Sequence, residues 1–195
     1  MIFQRLKETP SQTAGPYVHL GTVPSAAGLE IRTQENPHIL QGDADGTRIR
    51  IEGLLIDGAG QPVTDAMMEI WQADSKGRYG QDGFFGWGRT VTDWTTGRWW
   101  FETVKPGPVP YRDGRTEAPH IDILIFSRGI NIHLHTRLYF ADEAEANADD
   151  PVLKAAGAPW LQETMIAGRF DADGMPGYRL DIHLQGEKET VFLDM

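Results

Sequence analysis

Cysteine is absent from all 195 residues, which excludes disulfides, thiolate nucleophiles and cysteine-ligated metals and fits a reducing compartment. No apolar run approaches the ~20 residues that a membrane-spanning helix needs. The opening segment Met1 to Pro10 also lacks a basic start followed by an apolar stretch, so no signal peptide is expected. Positive charge is scarce: 18 Lys and Arg stand against 28 Asp and Glu, a formal net charge of −10. A nucleic-acid backbone and an anionic membrane would both repel such a chain, and neither is expected as a partner. The combined expectation is a cytoplasmic protein.

What the chain does have is a 40% hydrophobic content with six Trp, enough for one substantial core. Turn formers (Pro10, Gly15, Pro16, Pro24, Gly28, Pro37, Gly42, Gly46) dominate residues 1–46, which read as an N-terminal arm with connecting segments. Residues 47–195 read as one domain. Arg48-Ile49-Arg50-Ile51-Glu52 alternates with period two, as a half-buried strand does. Further strands are predicted at 66–72, 89–93, 98–104, 121–127, 134–140, 178–184 and 190–193, short, rich in β-branched and aromatic residues, and separated by Gly, Pro and Asp turns. That spacing predicts an all-β fold, a β-sandwich with an extended arm and one or two short helices. One helix is predicted over 151–167, with Asp150 as cap, Pro151 in its first turn, and Leu153, Ala156, Trp160 and Leu161 forming an apolar side.

Two stretches carry chemistry-bearing residues. One is Glu69-Ile70-Trp71-Gln72-Ala73-Asp74 followed by Gly77-Arg78-Tyr79. The other is Lys105-Pro106-Gly107-Pro108-Val109-Pro110-Tyr111, leading on to Glu117-Ala118-Pro119-His120-Ile121-Asp122. Together they resemble the intradiol ring-cleaving dioxygenases, whose iron-binding chains carry patterns like EIWQAN…GRY and KPGPYPW…RPAHIHF. The C-terminal segment from Tyr178 to Phe192 and the arm segment Thr9-Pro10-Ser11-Gln12-Thr13-Ala14-Gly15-Pro16-Tyr17 extend the likeness over nearly the whole chain.

In that family a ferric ion is held by two tyrosinates and two imidazoles, a hard cation on hard anionic oxygens. The resemblance places Tyr79 at the first ligand tyrosine and His120 at the first ligand histidine. Val109 stands at the second tyrosine, Asp122 at the second histidine, and Glu117 where the catalytic chain carries an arginine beside the reacting ring. An isopropyl group cannot ligate a metal, and a glutamate reverses the local charge. Tyr79, Val109, His120 and Asp122 are therefore expected to be vestigial metal-site positions, with no catalytic residue and no metal in this chain. His133-Leu134-His135 has metal-like spacing. Because Leu134 to Phe140 aligns with the family's LITQLYF-like strand, these histidines are expected at a surface or interface.

The resemblance then implies the noncatalytic α chain of a two-chain enzyme, part of a higher-order hetero-oligomer. Its partner would be an iron-bearing β chain containing Fe3+, which cleaves a small aromatic, 3,4-dihydroxybenzoate, with O2 to 3-carboxy-cis,cis-muconate. Thr13, Gly15, Pro16 and Tyr17 are expected to wall the partner's cavity. Arg128, in the Arg128-Gly129-Ile130-Asn131 turn, is the candidate for the substrate carboxylate, since a guanidinium matches that group with paired donors. Two alternatives stay open on the residues alone: a β-sandwich binding or scaffold module without a dioxygenase partner, and a self-sufficient iron enzyme with altered ligands. Co-purification with an iron-bearing chain separates the first alternative, and a visible tyrosinate–iron colour in the isolated chain the second.

Overall fold

A computed structural model describes residues 10, 12–15, 17–29, 44–81 and 83–194. Near the start lie helix α1 (Val18–Thr22) and a 3-10 turn at Pro24–Ala27. Eleven strands follow among the described residues: β1 (Arg48–Ile56), β2 (Met67–Trp71), β3 (Trp87–Val91), β4 (Arg98–Val104), β5 (Val109–Pro110), β6 (Thr116–Glu117), β7 (His120–Phe126), β8 (Leu134–Phe140), β9 (Ile166–Ala172), β10 (Met175–Arg179) and β11 (Ile182–His183). Between β8 and β9 come three short helices, α2 (Ala144–Asp149), α3 (Pro151–Ala155) and α4 (Pro159–Glu163).

Alternation of apolar and polar side chains decides how these strands layer. β1 sends Ile49, Ile51 and Leu55 inward, and β7 sends Ile121, Ile123 and Ile125 inward. Hydrogen bonding runs in the order β11-β1-β10-β9-β8-β7-β2-β3, with β4 on the other edge of β1. The β8–β9 seam spans only Tyr139 opposite Ile166 and Phe140 opposite Ala167. On either side of that seam, β4, β1, β10 and β9 make one layer and β8, β7, β2 and β3 the other. The core lies between them: Trp99, Phe101 and Tyr178 from the first meet Met68, Ile70, Leu138 and Phe140 from the second. Two sheets burying their apolar faces against each other are the β-sandwich that the alternation predicted.

Several boundaries differ from the sequence expectation. The helix predicted over 151–167 is two helices and the start of a strand. Asp150 does cap α3, accepting from the amides of Val152 and Leu153, with Pro151 in the first turn. However, Gly157 adopts φ 96°, Pro159 starts a new helix, and Ile166 enters β9. Trp160, assigned to the apolar side, is 61% exposed. The strand predicted at 178–184 is interrupted between Arg179 and Ile182, because both pieces pair with the one long strand β1. Residues 190–193 form no ladder. They are tied down by single bonds, Thr190 N–H to the His183 carbonyl at 2.9 Å and Leu193 N–H to the His135 carbonyl at 2.7 Å. Among the described residues no helix is long and apolar enough to cross a membrane.

Candidate functional site

The residues singled out in the two motifs meet on the outer face of the β7–β8 pair. Because Ile121 and Ile123 point into the core, His120 and Asp122 must face the other way. The same alternation in β8 turns Leu138 and Phe140 inward and leaves His135, Arg137 and Tyr139 on the outer face. Strand register sets His120 opposite Tyr139, Asp122 opposite Arg137 and Leu124 opposite His135. β5 pairs with β6 so that Val109 lies opposite Glu117. The loop carrying Tyr79 is fastened by Asp74, whose carboxylate accepts from the Lys76 and Arg78 amides at 2.9 Å each. Gly107 N–H donates to the Asp74 carbonyl at 2.9 Å, which joins this loop to the segment leading to Val109. Trp71 stacks on Tyr79 at 5.7 Å between ring centroids.

At the centre of this assembly is a cation that the motif comparison did not single out. Arg137 is 6% exposed. Its Nε donates to Asp122 Oδ1 at 2.9 Å and its Nη1 to Glu117 Oε1 at 2.8 Å. His135 Nε2 donates to the same Asp122 oxygen at 3.0 Å. His120 Nδ1 donates to the Ala118 carbonyl at 2.7 Å, which leaves Nε2 as an acceptor 3.5 Å from the Tyr79 hydroxyl. Beneath Arg137, the Tyr139 hydroxyl donates to Asp150 Oδ1 at 3.0 Å, and Asp150 Oδ2 accepts from the Ala118 amide at 2.8 Å.

The titratable groups respond as this arrangement dictates. Burial raises the carboxyl pKa of Asp122, yet the His135 hydrogen bond and the Arg137 charge outweigh it and hold Asp122 below its ordinary value. Burial, then the Asp122 charge, push the Tyr79 hydroxyl up to about 12, so it remains a phenol near neutrality. Burial, then the Arg137 charge, lower the His120 imidazole from its ordinary 6.5. An unfolded chain therefore takes up a proton at position 120 that the folded chain refuses. Stability is fully present above about pH 6.5 and falls as the pH drops toward the lowered folded value, by at most about 1.4 kcal/mol per pH unit for this one proton. Asp122 acts in the same direction at lower pH, its contribution being lost as the pH falls from below 3.8 through its lowered folded value. Urea melts of wild type and His120→Asn between about pH 7 and about pH 5.5 should give a much flatter response in the variant. Equal slopes would remove His120 as the source.

His135 is more enclosed in this chain than a surface histidine would be. Its side chain is 16% exposed and bonded to Asp122, because the β7–β8 register sets it beside that residue. His133 lies outside β8 and packs on Phe126 at 5.5 Å. Arg137 had one signal in the sequence, its i, i+2 spacing from His135, which on a strand means the same face.

The second group of predicted residues lies elsewhere. Thr13 Oγ1 donates to the Ser127 carbonyl at 3.2 Å and accepts from the Gly129 amide at 2.8 Å, and Thr13 bridges to Asn131. The arm and the 128–131 turn are thus one surface. Gly15 and Tyr17 are exposed on it, Tyr17 at 77%. Arg128 Nε meets Asp65 Oδ2 at 2.5 Å, with the arginine side chain 71% exposed. Pro16 lies outside the described residues. Ser127 follows the end of β7 and His120 begins it, which separates this surface from the Arg137 cluster by roughly 20 Å along the strand.

An iron centre does not fit the residues at the cluster. Val109 offers no ligand atom, and Asp122 Oδ1 is taken by Arg137 and His135. A buried guanidinium also holds Glu117 and Asp122 together where a second cation would need to enter. Among the described residues no group of three or more His, Cys, Asp or Glu side chains is arranged to hold a metal ion. No reaction step is assigned to this position.

Comparison with known proteins agrees with the motifs. A family model described as Dioxygenase matches residues 27–186. The protocatechuate 3,4-dioxygenase alpha chain of Pseudomonas putida is 50% identical over 200 residues, covering 100% of both chains. The beta chain of the same enzyme from Burkholderia cepacia is 31% identical, over 78% of this chain and 70% of that one. Among solved structures, the dioxygenase domain of a dioxygenase and carbohydrate-binding protein fusion from Streptomyces sp. SirexAA-E superposes with a TM-score of 0.60 at 21% identity, covering 95% of this chain and 100% of that one. A model matched across most of the chain and a relative matched from end to end place the protein: it belongs to the intradiol ring-cleaving dioxygenase family.

Proposed function

We propose that this chain is the noncatalytic α subunit of a protocatechuate 3,4-dioxygenase. Its partner is a β chain carrying Fe3+, and together they cleave 3,4-dihydroxybenzoate with O2 to 3-carboxy-cis,cis-muconate. The observation that carries the reading is the exchange at the family's metal position. A family scaffold is intact around Tyr79 and His120, but a buried Arg137 binds the two acidic side chains there. End-to-end likeness to an α chain supports it further. In this reading residues 1–46 are an arm, residues 47–195 are the dioxygenase-like domain, and αβ units assemble into a larger hetero-oligomer in the cytoplasm. The partner's ferric ion supplies the activation of the aromatic ring.

This chain supplies walls. Thr13 pins the arm to the turn at Gly129, so that Thr13, Gly15, Pro16 and Tyr17 line the mouth of the partner's cavity beside Arg128. Arg128 already holds a carboxylate, that of Asp65, and a substrate carboxylate is the same chemical partner. Co-expression with the β chain should yield a coloured, active complex, while the chain alone is colourless and inactive. Failure to co-purify would overturn the subunit reading. Within the complex, Arg128→Ala should raise KM for protocatechuate about tenfold, the worth of one charge-assisted hydrogen bond, with kcat little changed. An unchanged KM would remove Arg128 from the substrate path.

A further inference from the structure

The Arg137 cluster is built the way a metal site is built, with an organic cation in place of the metal. Its anionic groups come from two separate segments, Glu117 on β6 and Asp122 on β7, and one positive centre draws them together. The guanidinium is almost fully enclosed, and the side chains of Glu117 and Asp122 are 9% and 13% exposed. Such a cation cannot be lost alone, because two carboxylates would then remain with little water and no countercharge. A metal placed beside it would also be repelled by its fixed positive charge in a setting with little water to screen it.

We propose that Arg137 is the resident cation of this centre, a fixed guanidinium that holds Glu117 and Asp122 and keeps iron out even when the missing ligand side chains are put back. Two substitutions that restore the ligand types, Val109→Tyr and Asp122→His, are thus insufficient by themselves. A third, Arg137→Gln, is required to admit the metal. Glutamine keeps an amide that can donate to Glu117, removes the charge, and is the residue that the family's LITQLYF-like strand pattern carries at this place. The inference concerns the chain alone and does not depend on the proposed partner.

The experiment uses full-length wild type, V109Y/D122H and V109Y/D122H/R137Q, each equilibrated with ferrous iron in air, stripped of loose metal, and assayed for iron per chain and for the visible tyrosinate-to-iron band. The triple variant should retain roughly tenfold more iron than the double variant and should colour, in line with the effect of groups that surround metal ligands. Equal iron in the two variants would overturn the proposal, whether both bind or neither does. A second comparison covers poor folding of the ligand-restored chains. R137Q should lower Tm by about 10 °C, and E117Q/D122N/R137Q, which removes the stranded charges as well, should recover most of that loss. No recovery would mean that Arg137 acts through packing and not as the countercharge. Neither measurement involves the β chain, so a failed co-purification and a failed proposal are told apart.

Discussion

Asp150→Ala is expected to lower folding stability by about 3–5 kcal/mol, read as a shift of the urea midpoint with unchanged slope. Asp150 is fully buried and accepts four hydrogen bonds: from the Val152 and Leu153 amides at 2.9 and 2.7 Å, from the Ala118 amide at 2.8 Å, and from the Tyr139 hydroxyl at 3.0 Å. Loss of a helix cap alone costs about 1 kcal/mol. The larger part comes from the Ala118 amide and the Tyr139 hydroxyl, each left as a buried donor at about 1–3 kcal/mol. Asp150→Asn should lose less, since its amide oxygen still accepts on one side. The effect reaches the site because Asp150 anchors the residue before Pro119 and His120, and Tyr139 lies directly opposite His120. A loss below about 1 kcal/mol would show that water replaces the side chain and that the capping account is wrong.

Gly77→Ala should be comparably damaging, at about 3 kcal/mol or more, and the damage should concentrate where the two motifs join. Gly77 sits at φ 74°, and a Cβ there would lie 1.9 Å from the Pro108 carbonyl oxygen, far inside contact distance. Left-handed strain accounts for about 1–2 kcal/mol. The overlap adds to it by forcing the Tyr79 loop away from the strand that begins at Val109. Gly80 provides the control: it sits at φ 60° with open space around its missing side chain, so Gly80→Ala should show the backbone strain alone. Equal losses in the two variants would rule out the steric clamp. Hydrogen exchange should meanwhile report faster opening of residues 74–79 in Gly77→Ala, since that loop is held to Gly107 by a single backbone bond.

The fold was legible because its signal is local. Alternation in Arg48 to Glu52, and apolar runs such as Ile121 to Phe126, mark strands without knowledge of their neighbours, and a series of them with Gly and Pro between is a sandwich. The errors fell where local pattern is ambiguous. Ile166 and Ala167 follow a helix without a strong stop and fall inside its predicted span, and residues 168–172 carry no predicted element, although partners in β8 and β10 make the whole of 166–172 a strand. Trp160 fits an apolar helical stripe, yet the five-residue helix α4 leaves it outside.

For the site, the sequence by itself determined which groups are missing. Val109 and Asp122 lie in motifs whose residue types are fixed by their order along the chain, and no folding can turn an isopropyl group into a metal ligand. The tertiary structure alone decided what replaced them. Arg137 and His135 are 15 and 13 residues from Asp122, and only the antiparallel register of β7 and β8 makes them neighbours. The same holds for the arm: Thr13 and Ser127 are 114 residues apart, and their contact makes one surface of two segments. Residue chemistry is written in order along the chain, but charge compensation depends on distance in space, which long-range pairing sets.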